Sequence, residues 1–176
     1  MLTATLDRPV SGISIKQILI TALIAGAVSL TVWEIWAKVF APFYMGGSLS
    51  PVGLVKSSLG IGKETFAALG AAKSGAVGTA VANGVHLLTG LIAFPLGYIL
   101  GARPISRAVM PQLPWFVTGA VYGVALYVFA MYIMAHLFAG FPPFFGFNAL
   151  SQASLIGHAM LGVAIAYVVE ARDGAA

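Results

Sequence analysis

The sequence contains no cysteine and few charged residues: of its 176 residues, 8% are Asp, Glu, Lys or Arg. The absence of cysteine excludes disulfides, iron–sulfur clusters, thiolate zinc sites and cysteine nucleophiles. A soluble domain usually has about 25% charged residues, so this chain lacks the side chains for a water-facing surface. Its Lys and Arg residues form no run, which leaves no electrostatic footprint for a nucleic-acid partner.

Recognisable catalytic motifs are missing as well. The chain has no P-loop, no G-x-S-x-G, no H-E-x-x-H and no carboxylate pair, the patterns that mark common phosphate-binding and hydrolytic sites. The inner halves of its long apolar stretches also carry nothing ionisable, which argues against an ion pump or a proton-coupled transporter acting alone. We therefore predict a protein that is not an enzyme.

Hydrophobic residues dominate the composition, at 60% of the chain, and the mean hydropathy is +0.97. A helix needs roughly 20 apolar residues to cross the bilayer core of about 30 Å. Backbone groups in lipid must be bonded within the segment, which favours helices over open strands. We predict an all-α membrane protein, a single domain over residues 1–176, with four transmembrane helices at about residues 16–40, 81–100, 115–138 and 151–169.

The distribution of Lys and Arg predicts the orientation of these spans. Five basic residues lie on the side of the termini: Arg8, Lys16, Arg103, Arg107 and Arg172. The opposite side carries Lys56, Lys63 and Lys73, with Lys38 at the margin. Because cytoplasmic loops are enriched in Lys and Arg, we expect both termini in the cytoplasm of a bacterial inner membrane, and two hairpins of the same orientation.

The two loops on the far side have distinct compositions. In the first, "SLSPVGLVKSSLG" predicts a short helix, with Ser50 as N-cap and Pro51 at the first helical position. We expect this helix to lie along the membrane surface. The second, "FPPFFGF", is aromatic and uncharged, and we expect it at the interface or against a partner. The tryptophans near the span ends are predicted interfacial anchors; they are Trp33, Trp36 and Trp115.

Two histidines lie inside the second and fourth spans, and each is followed four residues later by glycine. His86 and His158 are each about six residues from the far end of their helix, or about 9 Å deep at about 1.5 Å per residue. Glu34 lies at a similar depth and His136 nearer the surface. If the two hairpins are repeats related by an axis along the membrane normal, His86 and His158 are symmetric. Both should face the bundle interior, because ionisable residues avoid acyl chains.

Structural and functional interpretations of these residues both stay open. Structurally, each histidine hydrogen-bonds a neighbouring helix, with Thr89, Thr118, Ser154 and Gln152 as candidate partners. Functionally, His86 and His158 ligate a haem iron or, together with His136 and Glu34, a metal ion. Glu34 also precedes Lys38 by four residues, the favourable order for a helical ion pair; its functional alternative is a ligand or proton-relay carboxylate.

Several motifs resemble a family of small bacterial four-helix inner-membrane proteins of unassigned function. They are "AG" in the first span, the H-x-x-x-G that opens the second, "LPWFVTGAVYGVALYVFAMYIMAHLFAG" and "SLIGHAMLGVAIAYV". The resemblance covers most of the chain outside the first loop and the two tails. It implies the four-helix architecture and the two helix histidines, His86 and His158. Glu34 and His136 match no feature of the family, and the resemblance implies no activity.

The function predicted from these features is a non-catalytic accessory or structural subunit that packs against a larger respiratory or photosynthetic membrane complex, with no cofactor expected. The alternative is a small electron-transport protein in which His86 and His158 bind haem b or a metal ion. A channel or carrier for a small neutral molecule ranks third, supported by the glycines and by Pro95 inside the second span. In each case the lipid bilayer is the surrounding medium.

Overall fold

The computed structural model describes residues 14–60 and 76–173, and within these ranges the chain is helical, without strands. A short helix, α2 (Pro51–Ser58), lies between the first and second long helices. Helix α3 begins at Ala76. Four helices are long and apolar enough to cross a membrane: α1 (Ile15–Met45), α3 (apolar span Gly78–Val109), α4 (Trp115–Phe138) and α5 (Ala149–Asp173). The prediction of an all-α chain with four such helices is confirmed.

Two of the long helices continue well beyond their predicted ends, past prolines that lie inside them. Helix α1 runs on to Met45 and α3 to Val109. A proline ring clashes with the carbonyl four residues earlier, and a π turn, which bonds five residues apart, relieves that clash. Each internal proline follows such a turn by two residues: Pro42 after Trp36–Phe40, Pro95 after Thr89–Ala93, and Pro104 after Tyr98–Ala102. The helices therefore continue past these prolines.

Helix α2 forms where the sequence predicted it. The Ser50 side chain accepts a hydrogen bond from the Gly53 N–H at 3.2 Å, and Pro51 begins the helix. The helix lies between α3 and α4, where Lys56 Nζ donates to Thr79 Oγ1 at 2.7 Å. On the other side, the Ser58 hydroxyl bonds the Met134 carbonyl oxygen at 3.1 Å. Helix α2 thus bonds both long helices, and its place along a membrane surface stays a prediction.

Close approach at glycines brings the long helices together. On α4, Gly123 touches the backbone of α5 at His158 and leaves no room for a Cβ atom. Gly162 of α5 faces Gly119 and Gly123 in return. On α3, Gly90 faces the Leu30 side chain of α1. The prediction that the glycine of each H-x-x-x-G lets a neighbouring helix approach is therefore confirmed.

Candidate functional site

A cavity of about 440 Å³ lies among the four long helices, beneath α2. We call it the histidine chamber, because both His86 of α3 and His158 of α5 line it. Its remaining wall is mostly apolar and includes Leu30, Trp33, Leu54, Phe94, Met131 and Leu161. The predicted interior orientation of the two histidines thus agrees with the structure, which brings them to one cavity.

His158 is buried, and its hydrogen bonds are made within its own helix. Nδ1 lies 2.8 Å from the Ser154 carbonyl oxygen and 3.2 Å from the Ser154 hydroxyl. Because a carbonyl can only accept, Nδ1 carries the proton and Nε2 presents a lone pair. Among residues 14–60 and 76–173, nothing hydrogen-bonds Nε2. His158 therefore offers the chamber one unused hydrogen-bond acceptor.

Aromatic rings hold the His158 imidazole on two sides. The Trp33 ring meets it edge-on at a centroid distance of 4.6 Å, and the Tyr127 ring does so at 6.1 Å. Trp33 is 5% exposed, and its Nε1–H has no hydrogen-bond partner in the part of the chain that the structure describes. A buried polar group without a partner costs about 1–3 kcal/mol. The wall of the chamber thus holds an unpaired donor residue beside an unpaired acceptor.

Trp33 is buried within the bundle, whereas Trp36 is half-buried, and its interfacial role stays a prediction. The benzo ring of Trp33 packs over Gly157 of α5, where the missing side chain leaves space for it. Trp36 Nε1 donates to the Ala153 carbonyl oxygen of the same helix at 2.8 Å. Both indoles therefore face α5, where small residues leave space for them. Their position near a span end in the sequence does not reveal this packing.

Glu34 joins α1 to α3 next to the chamber. Its Oε2 lies 2.6 Å from Lys38 Nζ, which confirms the predicted ion pair. Its Oε1 lies 3.7 Å from His86 Nε2, a contact between helices. Side-chain exposure falls along this row, from 71% at Lys38 and 37% at Glu34 to 16% at His86. The row therefore leads from the exposed surface to the chamber wall.

His136, the third histidine, has a separate environment. Its Nδ1 lies 2.7 Å from the Phe141 carbonyl oxygen, just beyond the end of α4, and it is not part of the chamber wall. Within the described ranges no three His, Asp or Glu side chains are grouped so as to hold a metal ion. Of the four predicted metal ligands, the structure brings His86 and His158 to one cavity and Glu34 beside His86.

The interhelical hydrogen bonds predicted for the histidines differ from those observed. Of the four candidate partners, Ser154 alone bonds a histidine side chain among the described residues, and it belongs to the same helix. The Thr89 hydroxyl instead donates to the Val85 and His86 carbonyls of its own helix. In both cases a carbonyl three or four residues earlier is the nearest acceptor, which makes the bond local.

The aromatic second loop forms part of the chamber wall. Phe141 and Phe145 line it, and their rings lie 4.8 Å apart. Phe144 and Phe145 have left-handed backbones, with φ of 50° and 49°, an unusual conformation for bulky residues. Stacking of Phe144 on Tyr127, at 5.6 Å, supports it. The rings that the sequence assigned to an interface or partner thus lie partly within the molecule.

Sequence reasoning missed a charged network where α3 and α5 end. Arg103 is 8% exposed; its Nε donates to Glu170 Oε1 at 2.7 Å, and its Nη2 pairs with Asp173. Arg107 Nη2 donates to Glu170 Oε2 at 2.9 Å. The predicted span ended at about Leu100, but α3 continues past Pro104, so Arg103 lies within the helix. The available signal was the spacing of Arg103 with Arg107 and of Glu170 with Asp173, which puts each pair on one helix face.

Comparison with protein families, curated proteins and solved structures found no match to this chain. The family resemblance of the span motifs therefore stays a prediction. Function has to be inferred from the geometry and chemistry of the sites themselves.

Proposed function

We propose that this chain is a non-catalytic integral membrane protein that binds a lipophilic small molecule in the histidine chamber. The carrying observation is that two helix histidines share one largely apolar cavity of about 440 Å³. Small-molecule sites typically enclose about 300–1,000 Å³, with apolar walls and a few polar groups that orient the ligand. The chamber has both properties.

The unpaired polar groups favour a particular ligand chemistry. His158 Nε2 is an acceptor held in place by the Nδ1 bond to Ser154, so it favours a ligand that donates a hydrogen bond. Trp33, in the same wall, has an unused N–H within the described part of the chain. A hydroxyl group can donate to this acceptor. The proposed ligand is therefore a lipid-soluble alcohol or phenol with a hydrocarbon body.

A photoreactive long-chain alcohol with a diazirine in its chain tests this proposal in protein reconstituted into nanodiscs. We expect crosslinks to residues of the chamber wall, and about fivefold weaker labelling by the matching methyl ether, since one hydrogen bond contributes about 1 kcal/mol. His158→Leu should reduce alcohol labelling to the level of the ether. Thr31→Leu is the control and should label like the unmodified chain, because Thr31 is exposed, lies outside the chamber wall and bonds the Ala27 carbonyl of its own helix. Equal labelling by alcohol and ether would contradict the proposal.

A second ligand, haem b or a metal ion, is favoured by one detail of His158. Ligating histidines usually donate their other ring N–H to a carbonyl or carboxylate, which fixes the tautomer, and Nδ1 of His158 bonds a carbonyl in this way. A Soret band in the unmodified protein that disappears in both His86→Leu and His158→Leu would identify haem, and not the lipophile, as the ligand. Metal analysis of the same preparation tests the ion.

We also propose that the chain serves as an accessory subunit of a larger membrane complex, respiratory or photosynthetic. This role is supported by the low burial of α3. In its most apolar stretch 17% of the residues are buried, whereas in that of α5 56% are buried. Its long uncovered apolar face suits a neighbouring protein. Mild detergent extraction should yield a co-purifying assembly, and a stable monomer without a partner would contradict this role.

The proposed setting is a bacterial inner membrane with both termini in the cytoplasm. Arg172 Nε, near the end of α5, lies 3.1 Å from Thr21 Oγ1, near the start of α1. Arg103, late in α3, bonds Glu170 of α5. These contacts support two hairpins of the same orientation, with both termini on the side richer in Arg and Lys.

A further inference from the structure

A second cavity, of about 230 Å³, lies at the end of the bundle that holds the charged network. We call it the arginine cavity. Its polar wall consists of Tyr98, Arg103, Ser106, Arg107, Thr118 and Glu170. It shares no lining residue with the histidine chamber, so a ligand of the arginine cavity is independent of the lipophile proposed for that chamber.

Several donors of this wall remain unused. Arg103 bonds the carboxylates through Nε and Nη2, and Arg107 through Nη2. In the described ranges no hydrogen bond involves Arg103 Nη1, nor Nε or Nη1 of Arg107. Three guanidinium nitrogens are thus available for an acceptor. Arg107 is well placed for a ligand, because its side chain is 58% exposed.

Tyr98 provides a second, independent sign of a ligand. The residue is fully buried, and its hydroxyl has no hydrogen-bond partner in the described part of the chain. Neighbouring hydroxyls are also present, since Ser106 Oγ and Thr118 Oγ1 lie 2.9 Å apart. A buried hydroxyl is normally hydrogen-bonded. An acceptor bound in the cavity would satisfy it.

We propose that the arginine cavity binds the phosphate of an anionic phospholipid headgroup. Phosphate is acceptor-only and matches the forked donors of arginine, and basic pockets at the ends of transmembrane helices bind such headgroups. Arg103 and Arg107 both line the cavity together with Glu170, and Asp173 pairs with Arg103. The carboxylates hold the guanidinium groups in place and leave their other nitrogens for the ligand.

The lipid source is favoured over a free phosphate compound by the apolar part of the cavity wall. Met110, Leu113 and Trp115 belong to that part, and Trp115 is 40% exposed at the start of α4. Tryptophan at a span end is typical of the headgroup level of a bilayer. These side chains suit the glycerol and upper acyl segments of a lipid; a free phosphate has no such segments.

Native mass spectrometry of the full chain with phosphatidylglycerol or phosphatidylcholine tests the proposal. We expect phosphatidylglycerol to be retained more strongly, and Arg107→Gln to weaken its retention by about tenfold, as for a lost charge-assisted hydrogen bond. Tyr98→Phe, which removes only the hydroxyl, should weaken retention by about fivefold. Lys56→Gln removes one positive charge from α2, away from this cavity, and should leave retention unchanged.

Three results would overturn the proposal. Equal retention of the two lipids would show that the headgroup charge is not recognised. An equal loss in Lys56→Gln and Arg107→Gln would show a general charge effect without a site. Displacement of phosphatidylglycerol by millimolar glycerol 3-phosphate would identify a free phosphate compound as the ligand.

Discussion

Gly123 makes the closest contact between α4 and α5. A Cβ at this position would overlap the carbonyl oxygen of His158 and the Cα of Ala159. Because these are backbone atoms, they cannot move aside like the end of a side chain. We expect Gly123→Ala to force the helices apart and to destabilise the fold by about 1–3 kcal/mol, the usual range for overpacking. A lower thermal unfolding midpoint in detergent would measure this effect.

Gly84 is the matched control for that substitution. It lies inside α3, and a Cβ there would meet no atom within 4 Å. Alanine is favoured over glycine in a helix interior by about 1 kcal/mol, so Gly84→Ala should leave the unfolding midpoint unchanged or raise it. The packing explanation fails if both substitutions lower the midpoint equally.

Local spacing predicted some of these residue contacts and missed others. The Glu34–Lys38 pair follows from two positions on one helix, so the sequence was sufficient. The approach of His86 to Glu34 depends on how α1 and α3 are aligned along each other. Likewise, the burial of Trp33 depends on Gly157 of another helix. Periodicity within one segment contains no information about such an alignment.

Among the elements, α2 is the one whose capping residue is clearest. The Ser50 side chain accepts from Gly53 N–H, and loss of such a cap costs about 1 kcal/mol. Ser50→Ala should therefore speed amide hydrogen exchange in α2 by about fivefold, with little change in the long helices. Ser48→Ala is the control, because Ser48 precedes the helix and does not cap it. Equal exchange in the two variants would contradict the assigned cap.

The extent of the long helices was harder to predict than their existence. The apolar stretch of the second span predicted a boundary at about Leu100. Helix α3 instead accommodates Pro104 with a π turn, which places Arg103 against α5. Single-residue preferences do not report such an adjustment, because packing between helices stabilises it.

For the molecule as a whole, cysteine labelling can test the proposed orientation without background, because the chain has no cysteine of its own. Ser48 and Met110 are exposed at opposite ends of the helices. Cysteines at these positions should react with a membrane-impermeant maleimide from opposite sides of the membrane. A third cysteine, in place of exposed Gly140, should react from the same side of the membrane as the cysteine at position 48. Labelling of Ser48→Cys and Met110→Cys from one side would contradict the orientation.

The architecture followed from composition, whereas the two cavities did not. Long apolar stretches are sufficient to predict four spanning helices, and the described residues include four helices that are long and apolar enough to span. The histidine chamber is lined by α2 as well as by the long helices, and α2 bonds both α3 and α4. The arginine cavity depends on the meeting of the ends of α3 and α5. Both arise from the relative placement of elements, which a linear pattern does not specify.

The π turns of α3 also affect how this chain should be aligned with related sequences. Each one adds a residue to a turn and so rotates everything beyond it by about 100°. Two such turns, Thr89–Ala93 and Tyr98–Ala102, shift the phase of the helix by about 200° between His86 and Arg103. A homologue without these turns would present the same helix faces with two fewer residues. Its correct alignment to this chain therefore requires gaps inside a transmembrane helix.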